Sequence, residues 1–112
     1  MSKQRVERTR PGAALMFAAL GDSTRLALLH RLSRGGPASI SVLAGSFDTT
    51  RQGVTKHLHV LAAAGIIDGE RRGREHVWAI NARRLAEAQR HLQIIAGGWD
   101  DALARLKGHV EG

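Results

Sequence analysis

The chain has 112 residues, enough for one modest hydrophobic core and too few for two. Its 17 Lys and Arg against 10 Asp and Glu give a formal net charge of +7, which favours an anionic partner. Nucleic acid stands ahead of a membrane surface because no long apolar run is present, so no membrane association is expected. There are no cysteines, which excludes disulfides, thiolate metal sites and cysteine nucleophiles. The polar N-terminus lacks the apolar stretch of a secretory signal, so a cytoplasmic location is expected.

Residues 1–10, MSKQRVERTR, carry Lys3, Arg5, Arg8 and Arg10 without a periodic apolar face. They read as a flexible basic tail, the alternative being a DNA-contacting arm. Pro11 suits a first helical turn. GAALMFAAL at 12–20 is then a short helix, apolar nearly all round, which must be covered by the core or by a second subunit. Gly21 ends it, and Asp22 or Ser23 caps a second helix that buries Leu26, Leu29 and Leu32. GGP at 35–37 is a turn. Ser39 caps a short third helix with Ile40, Leu43 and Ala44, closed by Phe47 and Asp48.

A fourth helix is expected over about residues 50–64. Val54, Leu58, Leu61 and Ala62 recur at three- and four-residue spacing, so one stripe can be buried. The other face of its first turns presents Thr50, Arg51, Gln52, Thr55, Lys56 and His59, all hydrogen-bonding side chains. A short helix, a turn, and a second helix polar at its start form the helix-turn-helix pattern. Gly65 stops the fourth helix, and a hairpin follows over about 66–80. Its tip, ERRGRE, carries Arg71, Arg72 and Arg74, and Val77 and Ile80 are expected to share a face of the return strand. Asn81 caps a final helical region over about 82–110, with Leu85, Leu92, Ile95, Trp99, Ala102, Leu106 and Val110 mostly at alternating three and four spacing. Gly97-Gly98 costs that region roughly 2 kcal/mol of helix propensity, so a kink or break is expected there. The fold class is mainly α with a small β-hairpin: a winged helix-turn-helix over residues 11–112 with N- and C-terminal dimerisation helices.

Three blocks now carry a resemblance. ALGDSTRLALLHRL at 19–32 resembles the opening of ArsR-type (arsenic-repressor-like) winged-helix transcription regulators. TTRQGVTKHLHVLAAAGIID at 49–68 is similar to that family's recognition block, and RRGREHVWAI to its wing and return strand. Thr50 and Thr55 stand at the family's two serine positions and His57-Leu58 at its His-Leu pair, while Gly53 occupies a place often filled by Ala or Thr. The resemblance implies a homodimeric DNA-binding regulator, usually a repressor that leaves its operator when a signal arrives. The C-terminal piece is similar to a branch without the Cys-rich metal motif.

On the residues themselves, Arg51 and Gln52 are the expected base readers, since a guanidinium can pair with guanine and an amide with adenine. Thr50, Thr55, Lys56 and His57 are expected on phosphate or sugar, with His59 on the same polar face. For His57, a structural place under the helix is an equal alternative. Arg71, Arg72 and Arg74 reach phosphates or a narrow minor groove, although Glu70 and Glu75 neutralise part of the field. Leu15, Met16, Phe17, Leu92, Ile95, Trp99 and Leu106 are expected to pair across a two-fold axis. That pairing sets two recognition helices about 34–36 Å apart, in successive major grooves.

Six histidines raise the question of metal. His91 is isolated from Asp100 and Asp101, while His109 and Glu111 point to different faces, so neither a metal site nor a cofactor is expected. No catalytic constellation can be assembled, so the chain is not expected to be an enzyme. An effector acting on the terminal helices would change recognition-helix spacing, but no motif names it. The alternatives are an architectural DNA-binding protein of low specificity, a protein-interaction module with a basic wing, and a metal-responsive repressor.

Overall fold

The computed structural model describes residues 12–47 and 49–111, with the backbone alone for 109–111. The basic tail, Pro11 and Asp48 lie outside the described residues. Among the described residues five helices and three strands follow in the order α1 (Ala13–Leu20), α2 (Ser23–Gly35), β1 (Ala38–Ser39), α3 (Ile40–Gly45), α4 (Arg51–Ala63), β2 (Ile67–Arg72), β3 (Glu75–Ile80) and α5 (Ala82–Glu111).

Each helix starts on a side chain that takes an orphan backbone donor, α1 excepted. Asp22 accepts from the Arg25 N–H, Ser39 from Val42, Thr50 from Gly53 and Asn81 from Arg84. The end of α4 is equally local in origin. Gly65 adopts φ 81° and donates to the Ala62 carbonyl while Ile66 donates to Leu61, the paired bonds of a Schellman stop. The GGP turn begins one residue later than the sequence implies, because Gly35 completes α2 and Gly36, at φ 76°, makes the reversal.

The core gathers Met16, Leu28, Leu32, Leu43, Val54, Leu58, Leu61, Ile66, Ile67 and Trp78 from every layer. Leu26, expected inside, is exposed, since α2 buries Leu28 in its stead. Met16 is only 1% exposed and Phe17 packs half-buried on the same core. Met16 is therefore withdrawn from the expected dimer surface, since its own chain already covers it; Phe17 is covered in part, and Leu15 is exposed.

The sheet is antiparallel throughout, in the order β1-β3-β2. Strand β1 is a two-residue element without a sequence signal, held by pairing Ala38 with Trp78 and Ser39 with Val77. On β3 the buried face belongs to Trp78 and, partly, Ile80, which obeys the period of two; Val77 turns the other way. Gly73, at φ 63°, opens the two-residue turn between Arg72 and Glu75, as a Gly-first hairpin turn requires.

Helix α5 runs without interruption through Gly97-Gly98, so the expected break is absent. At about 1.5 Å per residue its thirty residues span roughly 45 Å. Only its first turns meet the core, through Leu85 and Ala88. The rest projects as an arm, which stretches the molecule to 66 × 38 × 21 Å. The radius of gyration is 18.3 Å, whereas a compact chain of this length would have one of about 13 Å. Among the described residues, no helix is long and apolar enough to cross a membrane.

Candidate nucleic-acid interface

Helices α3 and α4 pack on one another, and α4 leads through the Gly65 stop directly into the hairpin. The buried stripe Val54, Leu58 and Leu61 seats α4 on the core and turns the opposite side outward. A surface hollow of about 700 Å³ is lined there by Thr50, Arg51, Gln52, Gly53, Thr55 and Lys56. Five of the ten expected contact residues thus gather at this helix start, and the structure gives them unequal freedom.

Gln52 and Lys56 are exposed, and among the described residues their polar ends have no partner. Arg51 is exposed too, with one guanidinium nitrogen donating to Ser41 Oγ at 3.3 Å. This contact anchors its stem to α3 and leaves most of its five donors free. Thr50 Oγ1 accepts the Gly53 N–H at 3.0 Å, whereas the Thr55 hydroxyl donates its proton to the Arg51 carbonyl at 2.8 Å. While so engaged Thr55 has only acceptor capacity, and a phosphate is itself an acceptor. Gly53 has a positive reason to be glycine: a Cβ there would stand 2.8 Å from Thr49 Oγ1 and 3.2 Å from Thr50 Oγ1.

The histidines separate. His59 lies on the outer face, and its ring centroid is 5.9 Å from that of Trp78 at the base of the hairpin. His57 stands about 140° around the helix from Gln52. It is half-buried, with Nδ1 3.2 Å from the Arg25 guanidinium and 3.8 Å from Asp22 Oδ2. Of the two readings the sequence leaves open for His57, the geometry supports the structural one.

Arg71, Arg72 and Arg74 are all exposed at the hairpin tip. Arg72 meets Glu70 at 3.4 Å, but both side chains are well solvated, and such a pair contributes little. Arg71 shares its strand face with His76 across the ladder, while Arg72 faces the other way opposite Glu75. Sequence reasoning missed His76 and Trp78. Their rings stack at 4.4 Å over Gly69, where a Cβ would come within 2.8 Å of the indole. The cluster His59–Trp78–His76 joins α4 to the wing, and Gly69 opposite Trp78 was the one available signal. At the far end of the hairpin, Asn81 donates to Asp68 at 3.0 Å while capping α5, so wing and arm share a root.

A short helix, a turn, a longer helix with a polar outward start, and a basic antiparallel hairpin make a winged helix-turn-helix DNA-binding domain. The comparisons agree. A helix-turn-helix domain family matches residues 20–70. An HTH-type transcriptional regulator of Bacillus subtilis, YuzN, is 38% identical over 76 residues, covering 62% of this chain and 83% of the relative. The structure of an ArsR-like transcriptional regulator from Rhodococcus sp. RHA1 superposes with a TM-score of 0.74 at 37% identity, over 85% of this chain and 89% of that one. The antimony-specific transcriptional repressor AntR superposes with a TM-score of 0.58 at 28% identity, over 78% and 79% of the two chains. The chain belongs to the ArsR-type helix-turn-helix transcriptional regulators.

Proposed function

We propose that this regulator is a cytoplasmic, non-enzymatic homodimer that binds an inverted-repeat operator in double-stranded DNA and represses transcription from it. The observation that carries the reading is the free polar start of α4, where Gln52 and Lys56 stand unengaged beside an anchored Arg51. Side chains at the N-terminal end of such a helix are those that meet base edges when it enters a major groove. Arg51 and Gln52 read bases, Lys56 and Thr50 hold phosphate or sugar, and Arg71, Arg72 and Arg74 follow the backbone or the adjacent minor groove. The repressor role follows that of AntR, the antimony-specific repressor to which the chain is similar.

The dimer rests on α5. Leu92, Ile95, Trp99, Leu103 and Leu106 are 40–63% exposed along one side of an arm that, among the described residues, adds nothing to the core beyond Ala88. Leu92, Ile95, Trp99, Ala102 and Leu106 alternate three and four apart, which is the seam of a helix pair. Two arms joined through this seam, with Leu15 of α1 at its edge, cover the apolar surface and set two α4 helices on one side of a duplex. A two-fold axis in the protein then demands two-fold symmetry in the site.

The deciding experiment is selection of bound duplexes from a random pool, with the molar mass of the complex measured. The expected outcome is a palindromic consensus occupied by two chains. Enrichment of no sequence above the pool would replace this reading with that of a low-specificity architectural protein.

A further inference from the structure

We propose that Arg25 and His57 are positioning residues: Arg25 locks the angle of the recognition helix α4 against α1 by donating to Nδ1 of His57. The inference rests on the DNA-binding reading above and assigns His57 a role within it that is not contact with DNA.

Three elements meet at the Arg25 guanidinium. Nε donates to the Ala19 carbonyl at 2.6 Å and one terminal nitrogen to Ala18 at 3.4 Å, both at the end of α1. The other terminal nitrogen lies 3.2 Å from His57 Nδ1 on α4, thirty-two positions away in sequence. Arg25 itself sits in the first turn of α2, and its N–H is fixed by the Asp22 cap at 3.0 Å. The Ala19 carbonyl lies at the helix end, and the Ala18 carbonyl, which already accepts the Gly21 N–H at 3.2 Å, has a second lone pair, so α1 offers both without breaking any bond of its own. A guanidinium is planar, always charged and rigid, with its donors at fixed angles. Partners on two helices, held from a third, therefore fix relative orientation as well as proximity.

The proposed joint assigns the histidine's tautomer. Arg25 can only donate, so a hydrogen bond between them requires Nδ1 to accept and the ring proton to sit on Nε2. The ring is held beside Leu58, which is fully buried, and about 140° from Gln52 on the outer face. From there it sets the roll of the first two turns of α4, where Arg51 and Gln52 depend on sub-ångström placement against base edges and Lys56 on its place beside the phosphates. It also ties that roll to α1, the helix packed against the root of the α5 arm.

Two replacements of His57 separate positioning from contact. H57N keeps an acceptor close to the place of Nδ1 and loses the Nε2 end; H57Q keeps a polar end near Nε2 and loses the acceptor. Full-length variants are compared with wild type for secondary structure, dimer mass, affinity for the selected duplex, and affinity across half-site spacings changed by one and two base pairs. H57N is expected within about threefold of wild type with the same spacing optimum. H57Q and R25Q are expected to lose tenfold or more at that optimum and to flatten the spacing preference, with dimer mass unchanged. The reverse order, H57Q retained and H57N lost, would overturn the proposal in favour of a DNA contact. Equal behaviour of all variants would overturn it as well. The joint is also read without DNA, from the His57 ring ¹⁵N shifts. An acceptor Nδ1 in wild type that changes in R25Q supports it, and an unchanged ring overturns it. Should wild type select no duplex, the regulator reading falls on its own, and the ring shifts still decide whether the joint exists.

Discussion

Replacing Trp99 by alanine tests whether the α5 arm pairs with a second arm. In the single chain Trp99 leaves 63% of its surface exposed. A tryptophan side chain buries on the order of 200 Å² when fully covered, so the seam has about 125 Å² still to remove from water at this position. At about 25 cal/mol per Å² that corresponds to roughly 3 kcal/mol per ring. A two-fold dimer contains the substitution twice, which doubles the loss to about 6 kcal/mol. The dimer dissociation constant should then rise by about four orders of magnitude. Ile94 supplies the control. It is even more exposed, at 71%, but stands about 140° around the helix from Trp99, off the seam. I94A should leave the constant within about threefold. Sedimentation velocity over a dilution series, with circular dichroism to verify that each variant folds, measures both. A W99A constant close to that of wild type, or an equal loss in I94A, would refute the seam.

Three further outcomes follow from the same geometry. Gly69→Ala places a Cβ 2.8 Å from the Trp78 ring, so the stack must shift at a cost of about 1–3 kcal/mol, measurable by chemical denaturation. Lys56 and the three wing arginines of each protomer make about eight phosphate-facing cations per dimer, for a slope of log affinity against log salt near −7; a slope shallower than about −3 in a titration series would remove the wing from the interface. The Arg25 backbone N–H, foremost among its neighbours, holds the Asp22 carboxyl below its ordinary value of 3.8. Such a group stabilises the fold above 3.8, and the contribution is lost as pH falls through the depressed folded value. D22N keeps a capping oxygen but cannot titrate, so its stability should fall less steeply than that of wild type across this acid range in denaturation curves.

The parts of this fold that were readable in advance are those decided within a few residues. Ser39, Thr50 and Asn81 cap the helices they precede, and Gly65 ends α4, because each satisfies backbone groups next to itself in the chain. The wing was legible for the same reason, through Gly73 and the alternation around it. What escaped depends on distant partners. Strand β1 exists only because β3 lies beside Ala38 and Ser39. The wider stripe of α2 shifts from Leu26 to Leu28 because the core is filled from α4 and β3. Met16 looked like interface because GAALMFAAL has no polar side, yet one face of so short a helix suffices to fill the core beneath it. Gly97-Gly98 predicted a break on propensity alone, a preference of only roughly 2 kcal/mol across a thirty-residue helix. At the candidate site, residue types were readable but engagement was not: nothing near His57 in sequence announces Arg25.

The arm has a consequence for how the protein lives in a cell. Among the described residues none beyond Ala88 joins the core and all but Ala102 are exposed, and a segment of some twenty residues holding two adjacent glycines is marginally helical in water. Its order therefore depends on assembly, and mass action couples that order to abundance. When copies are scarce, the segment around Gly97-Gly98 becomes a preferred point of attack for proteases. If the arms pair as proposed, chains that find a mate keep this segment ordered and unmatched ones expose it, so the pool available to DNA would be enriched in pairs.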